Sequence, residues 1–345
     1  MIMDYLVEVT KSDINGYLDK HYVIACRIRN SRIKAKQAAI LETIFAQFDN
    51  EILAIVNGPL GDIKGIITFF CSKKNLLLFR ERLYGIGYCC KFYLLDFESE
   101  TCNNPTDLKS INPQVWKGRH FSIEDFFCQD NKIYEEQSPH KREFKIIGHN
   151  GITKTVFGYR GDGSEFGRRS LPVEDARCMV NLSIPHKNKR TLDPFAGAGS
   201  IAFQFKYIVS GGNVTSIDID PVLKPGLEFY GAVHYVMNAA AASFPANSFD
   251  SVITETPFSE NAIDDIVSVL KKTASFISQD GILVIMCDKK QAGKIFDTAS
   301  LNNNFLLFNH DIDRKGTDIV LSVWCKNKGF YNDMENTLAA LKKIF

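Results

Sequence analysis

Four side chains able to accept hydrogen bonds stand where apolar runs stop: Asp193, Asp218, Asn238 and Glu255. The first opens the most informative stretch, D-P-F-A-G-A-G-S-I-A at positions 193–202. An acid and a proline follow an apolar run, the chain turns on Gly197 and Gly199, and an apolar helix begins. Glycines there let the backbone approach a ligand and take angles closed to other residues. The helix start offers N–H groups that have no intrahelical partner. Gly197, Gly199 and Ala202 fit the G-x-G-x-x-G/A loop of nucleotide sites, and Asp218 lies near the spacing of an acid on ribose hydroxyls. The chemistry this spacing can do is to hold a nucleotide above a strand end.

Alternating β and α patterns must position these residues. From about residue 156 the chain reads as a helix after Pro172 with an amphipathic pattern, a strand over 191–192, a helix over 200–208 and a strand over 214–217. A short helix over 222–230, with Asp220 as N-cap before Pro221, leads to a strand over 233–237. Then come a strand over 249–254, a helix over 263–277, a strand over 281–287 and a helix over 291–299. Two final strands, 304–310 and 317–325, are joined by 311–316, too short for a crossover helix, so they pair antiparallel. This is an α/β, doubly wound, Rossmann-like sheet closed by a C-terminal hairpin, and ligands on such sheets sit above the carboxyl ends of the strands.

Residues 1–98 read as a smaller α+β domain, with strands over 5–10, 21–27, 53–56, 63–70 and 90–97, a helix from Ser31 and a short helix over 75–84. Residues 99–150 are a connecting region with strand character over 144–147. The expected division is 1–150 for the N-terminal domain with its connector and 151–345 for the site-bearing domain. Arg27, Arg29, Arg32, Lys34 and Lys36 cluster where strand meets helix, and read more readily as a solvated helix face than as a phosphate patch. The basic run at 186–190 falls at the amino end of the first strand, away from the site.

At 345 residues, with 41 Lys plus Arg against 40 Asp plus Glu and a net charge of +1, bulk charge argues for no polyanionic partner; nucleic-acid binding has to come from local patches. Nine cysteines without a Cys-x-x-Cys pair argue against zinc and disulfide frameworks and for reduced thiols. The histidines show no ligand spacing, so no metal is expected. The first residues lack a basic region followed by an apolar core, and no apolar run is of membrane-spanning length. A cytoplasmic chain is expected, with no membrane partner; the oligomeric state is left open.

Three features separate S-adenosylmethionine from a dinucleotide. Asp193 stands where a pyrophosphate would be repelled and an amino-acid ammonium attracted. The sheet closes with an antiparallel hairpin, and Glu255, Thr256, Pro257 and Phe258 follow the fourth strand. Residues from about 166 to 325 resemble the RNA methylase family of class I S-adenosylmethionine-dependent methyltransferases, which includes the tRNA guanosine-N2 methyltransferases. The resemblance is carried by the 171–182 helix, by D-P-F-A-G-A-G-S-I at 193–201 against the family's D-P-F-C-G-S-G-T-I, and by Phe249, Asp250 and Thr254 leading into the catalytic position. It implies S-adenosylmethionine as cofactor, held by Asp193, Phe195, Gly197, Gly199, Asp218, Ile219, Asn238 and Ala239. It also implies catalysis by Glu255, Thr256, Pro257 and Phe258, RNA (tRNA above all) as partner, and often a THUMP domain at the N-terminus.

The family's catalytic turn is Asp or Asn, Pro, Pro, then Tyr or Phe. An exocyclic base amine is a poor nucleophile because its lone pair is delocalised. A side-chain oxygen and a backbone carbonyl accept its N–H bonds while an aromatic ring stacks on the base. Here Phe258 and Pro257 keep the ring and part of the turn. Glu255 adds a methylene, and Thr256 restores an N–H and loosens the turn. Transfer to an exocyclic amine in RNA, guanine N2 in tRNA first, therefore stands beside two alternatives: a cofactor-binding protein with impaired catalysis, and a methyltransferase acting on something other than nucleic acid.

Overall fold

In the computed structural model, the residues described are 19–46, 65–75, 85–96, 119–122, 143–147, 153–157, 171–185, 188–209, 212–297, 304–314 and 317–344. The strands expected over 5–10 and 53–56 and most of the 75–84 helix lie outside them. Two compact units are formed, one from residues 1–138 with 336–345 and the other from 139–335. Among the described residues no helix is long and apolar enough to cross a membrane.

The first unit carries an antiparallel sheet of β1 (His21–Ile28), β2 (Ile66–Ser72), β3 (Cys89–Asp96) and β4 (Arg119–Ser122) in the order β2-β1-β3-β4. A 3-10 turn, Asn30–Ala35, leads into α1 (Lys36–Phe45), which is buried from residue 38 onward. The Glu42 carboxylate, inside this helix, accepts the backbone N–H groups of Gly87 and Tyr88 at 2.6 and 2.9 Å. One member of the basic cluster departs from the expected solvated face, while Lys34 is exposed. Arg32 is only 5% exposed, with its guanidinium 5.6 Å from the centre of the Tyr88 ring, and Arg29 Nε donates to the Gly87 carbonyl. Cation–π contact and backbone acceptors replace the lost hydration.

The second unit opens with a hairpin of β5 (Glu143–Ile147) and β6 (Thr153–Phe157), then α2 (Val173–Leu182). There follow β7 (Arg190–Asp193), α3 (Ser200–Ile208), β8 (Asn213–Asp218), α4 (Lys224–Phe229), β9 (Val233–Val236), β10 (Phe249–Glu255) and α5 (Ile263–Phe276). The last elements are β11 (Ile277–Asp288), α6 (Lys289–Asp297), β12 (Phe305–Arg314), β13 (Thr317–Cys325) and the start of α7 (Lys328–Ile344), whose residues from 336 onward belong to the first unit. The seven-stranded sheet runs β12-β13-β11-β10-β7-β8-β9. Neighbours from β11 to β9 are parallel, and β13 is antiparallel to both β11 and β12. This is a doubly wound, Rossmann-like sheet with a closing antiparallel hairpin, as expected. Chain order reverses between β7 and β10, so the crevice for a ligand opens above the carboxyl ends of those two strands.

The core explains the strand sequences. Val252 and Ile253 of β10 and Leu283 to Ile285 of β11 are fully buried, as strands covered by helices on both faces must be. Leu192, Ile217, Ile266, Leu270 and Trp324 complete the cluster. Two expectations need correction. The helix over 173–182 is buried along its whole length, Glu174, Asp175 and Arg177 included, because polar partners rather than water satisfy its charges; Arg177 Nε, for one, donates to Gln204 Oε1 at 2.8 Å. And β12 does not stop at 310 but runs to Arg314, with Ile312 and Arg314 buried and Asp311 and Asp313 exposed. Alternation with period two continues through the acids, which face solvent. In the basic run at 186–190, Lys189 is buried and donates to the carbonyls of Ser183 and Ile184 at the end of α2, and burial pushes its pKa down to about 7.

Candidate functional site

The turn after β7 is set by backbone bonds. Ala196 N–H donates to the Ile217 carbonyl and Gly199 N–H to the Ala196 carbonyl, which folds residues 194–199 over the sheet edge. Gly197 and Gly199 take φ of +50° and +86°, the left-handed region that favours glycine. Their surroundings differ. A Cβ on Gly197 would meet nothing within 4 Å, whereas one on Gly199 would sit 2.6 Å from Leu227 Cδ2. Gly197 keeps a surface open, and Gly199 lets α3 pack against α4.

Asp193 ends β7 almost completely buried, and its Oδ1 accepts Thr254 Oγ1–H at 2.9 Å and Phe195 N–H at 3.2 Å. Its Oδ2 is buried with no hydrogen-bond partner among the described residues. Burial, reinforced by the nearby carboxylates of Asp218 and Glu255, outweighs those two bonds and raises its pKa to about 7. Asp218 ends β8 half-buried. One carboxylate oxygen accepts Gly197 N–H at 2.9 Å and the other Asp220 N–H at 3.0 Å, so it is locked to the loop it faces. Ile219, next in the chain, is 71% exposed. Asn238 caps the 3-10 turn Ala239–Ala241, its Oδ1 accepting Ala240 N–H at 2.9 Å.

Glu255 ends β10 half-buried. Arg314 Nη1 donates to its Oε1 at 2.5 Å, and Arg314 Nη2 reaches Asp175 Oδ2 at 3.1 Å. The Arg314 side chain is 8% exposed and that of Asp175 wholly buried. Burial raises the Glu255 pKa, Arg314 opposes that rise, and Asp175 adds to it. Thr256 is not loose, contrary to expectation. Its N–H donates to the Met286 carbonyl at 2.9 Å and its hydroxyl to Gln291 Oε1 at 2.9 Å. Gln291 Nε2 in turn donates to the Pro257 carbonyl at 2.8 Å. Phe258 is 39% exposed.

These residues meet in one cavity of about 620 Å³, in the range of small-molecule sites. Asp193, Phe195, Gly197, Asp218, Ile219, Asn238 and Ala239 line it on one side and Glu255, Thr256, Pro257 and Phe258 on the other. Of the candidate cofactor and catalytic residues only Gly199 is not on its wall, in keeping with its packing role. The wall also holds Leu171, Asp265 and Arg314, which sequence reasoning missed. A period-two reading carried past Asp311 would have reached Arg314. Nothing in the sequence pairs it with Asp175 or Glu255. Asp193, Asp218, Glu255 and Asp265 make the wall acidic, and Arg314 is the one cation among the described residues lining it.

No family model matches the chain, and no curated protein matches it. Among solved structures it is similar to a TehB-like SAM-dependent methyltransferase from Corynebacterium glutamicum, at 17% identity over 41% of this chain and 82% of that one, with a TM-score of 0.34. It is similar to M. jannaschii TYW2 in complex with AdoMet, at 14% identity over 53% and 86%, with a TM-score of 0.36. It is also similar to the T. thermophilus 16S rRNA N2 methyltransferase RsmC in complex with AdoMet and guanosine, at 18% identity over 55% and 46%, with a TM-score of 0.36.

Proposed function

We propose that the second unit binds S-adenosylmethionine in this cavity and transfers its methyl group to an exocyclic amine of an RNA base, with guanine N2 in tRNA as the leading acceptor. The observation that carries the cofactor half is the buried, unpartnered Asp193 Oδ2 on the cavity wall. A buried carboxylate oxygen without a partner costs about 1–3 kcal/mol or more, which an ammonium donor would offset. Asp218 suits the ribose hydroxyls, and Asn238 and Ala239 with Ile219 suit the adenine, since an amide both donates and accepts. When bound, the cofactor supplies an electrophilic methyl group on a cationic sulfonium. The acidic wall favours a cationic ligand over a pyrophosphate, which would be repelled by Asp193 and Asp218.

On the acceptor side, Phe258 offers a stacking face and Glu255 a carboxylate oxygen for an amine N–H. An acidic wall also means that only an extruded base, with its phosphates outside, would enter. The test is methyl transfer from labelled S-adenosylmethionine to an unmodified tRNA transcript, where incorporation is expected and its absence counts against the RNA reading. A second reading, cofactor binding without transfer, is favoured by the Arg314–Glu255 ion pair, which already occupies one oxygen of the acceptor carboxylate. Cofactor binding with no transfer to any RNA, protein or small-molecule pool would select it.

A further inference from the structure

We propose that Arg314 is a positioning residue for Glu255, supplying from β12 the rigidity that an Asp-Pro-Pro turn would supply from within. This rests on the methyl-transfer reading of the same cavity. Glu255 has one more rotatable bond than Asp, and its tip is free to wander by more than sites tolerate unless something fixes it. The structure provides that restraint. Arg314 Nη1 lies 2.5 Å from Glu255 Oε1, and the guanidinium is itself anchored by Asp175 on α2 at 3.1 Å. A planar guanidinium between two carboxylates has little freedom, since its donors are fixed in one plane. Thr256, which replaces a rigid proline, is tied in the same manner by Gln291 on α6. That amide accepts the Thr256 hydroxyl and donates to the Pro257 carbonyl. Two straps from separate elements therefore hold the two positions where the tetrapeptide departs from the family pattern.

The straps also set the charge of Glu255. The groups facing it are Arg314 from β12, Asp175 from α2 and Asp193 from β7. Burial and Asp175 favour the neutral carboxyl, whereas Arg314 favours the carboxylate that accepts an N–H bond; Asp193 is itself raised by the Glu255 charge. A merely structural Arg314 would serve only to hold α2 to the hairpin. Under the proposal Arg314 keeps Glu255 ionised and aimed.

The test follows the Glu255 carboxyl directly by carbon-13 NMR of protein labelled at glutamate Cδ, with E255Q identifying its resonance. Replacing Arg314 by Gln is expected to raise the Glu255 titration midpoint by about one pH unit or more, and Arg314→Lys to restore most of it. Since R314Q removes an ion-pair partner from the buried Asp175, the double variant D175N/R314Q serves where the single one does not fold. In that variant too the midpoint is expected above that of D175N alone. The strap on Thr256 is read separately: Gln291→Ala is expected to speed amide hydrogen exchange at Thr256 about tenfold or more. A Glu255 midpoint unchanged across the Arg314 variants overturns the proposal, as does exchange at Thr256 indifferent to Gln291. Calorimetry of S-adenosylmethionine on the unaltered protein keeps the two readings apart. Failure to bind defeats the functional reading, and the carboxyl titration still decides the role of Arg314.

Discussion

The two sides of the cavity are built by different means. On the β7 and β8 side, backbone geometry makes most of the site: glycines at positive φ, an N–H of Gly197 on Asp218, and Asp193 with one oxygen on Thr254 of β10 and the other unpartnered among the described residues. On the β10 side, the tetrapeptide is held by side chains from far along the chain. Arg314 and Gln291 lie 59 and 35 positions from the residues they bind, and Asp175 stands on a helix before the first parallel strand. A local site is open and awaiting a donor, while a long-range site is already satisfied internally. The lesson is that a glycine loop can be complete in its motif while the turn after β10 is completed only by the fold.

The sharpest way to break this contrast is at Asp193. Replacing it by Asn is expected to weaken S-adenosylmethionine binding roughly a hundredfold, the loss of about 2–3 kcal/mol for a charge-assisted bond, as measured by calorimetry. Unchanged affinity would mean that the unpartnered oxygen holds nothing. Next come the two glycines. Gly199→Ala should cost about 2–3 kcal/mol of stability in denaturant unfolding, from strain at φ +86° and contact with Leu227. Gly197→Ala, with open space around its Cβ, should cost only about 1 kcal/mol and act mainly on cofactor affinity.

The pH dependence gives a further separation of the two sides. Below about 7 Asp193 is protonated in the ligand-free protein, so binding a cation there must release a proton. Affinity for S-adenosylmethionine should therefore rise by up to about tenfold per pH unit below the midpoint and level off above it. The same shift acts on stability with the opposite sign. The folded chain holds the Asp193 proton more tightly than the unfolded one, so this contribution falls as pH rises from the ordinary carboxylate value of 3.8 to about 7. Asp193→Asn should remove that slope in unfolding curves taken across the window. The smallest expected effect on the cofactor is at the other wall. Phe258→Ala should leave S-adenosylmethionine affinity within about twofold while reducing transfer to tRNA some tenfold or more, the loss of about 1–3 kcal/mol of stacking.

Much of the second unit could be read from its sequence because its information is local. Apolar runs that end in Asp193, Asp218 and Glu255 mark strand ends, and the short connector before Thr317 forces an antiparallel pair. The failures have a common cause. Glu174, Asp175 and Arg177 read as the polar side of an amphipathic helix because composition cannot show that partners arrive from elsewhere in the chain. Arg32 misled in the same way, its charge buried against Tyr88. Thr256 looked like a loosened turn only because the Gln291 that ties it belongs to another helix.

The most direct test of the account titrates S-adenosylmethionine and NAD separately into the unaltered protein by calorimetry. It predicts one saturable site for S-adenosylmethionine, with affinity rising as pH is raised toward 7, and no heat from NAD. Saturable binding of NAD, or no binding of S-adenosylmethionine at any pH, would contradict it.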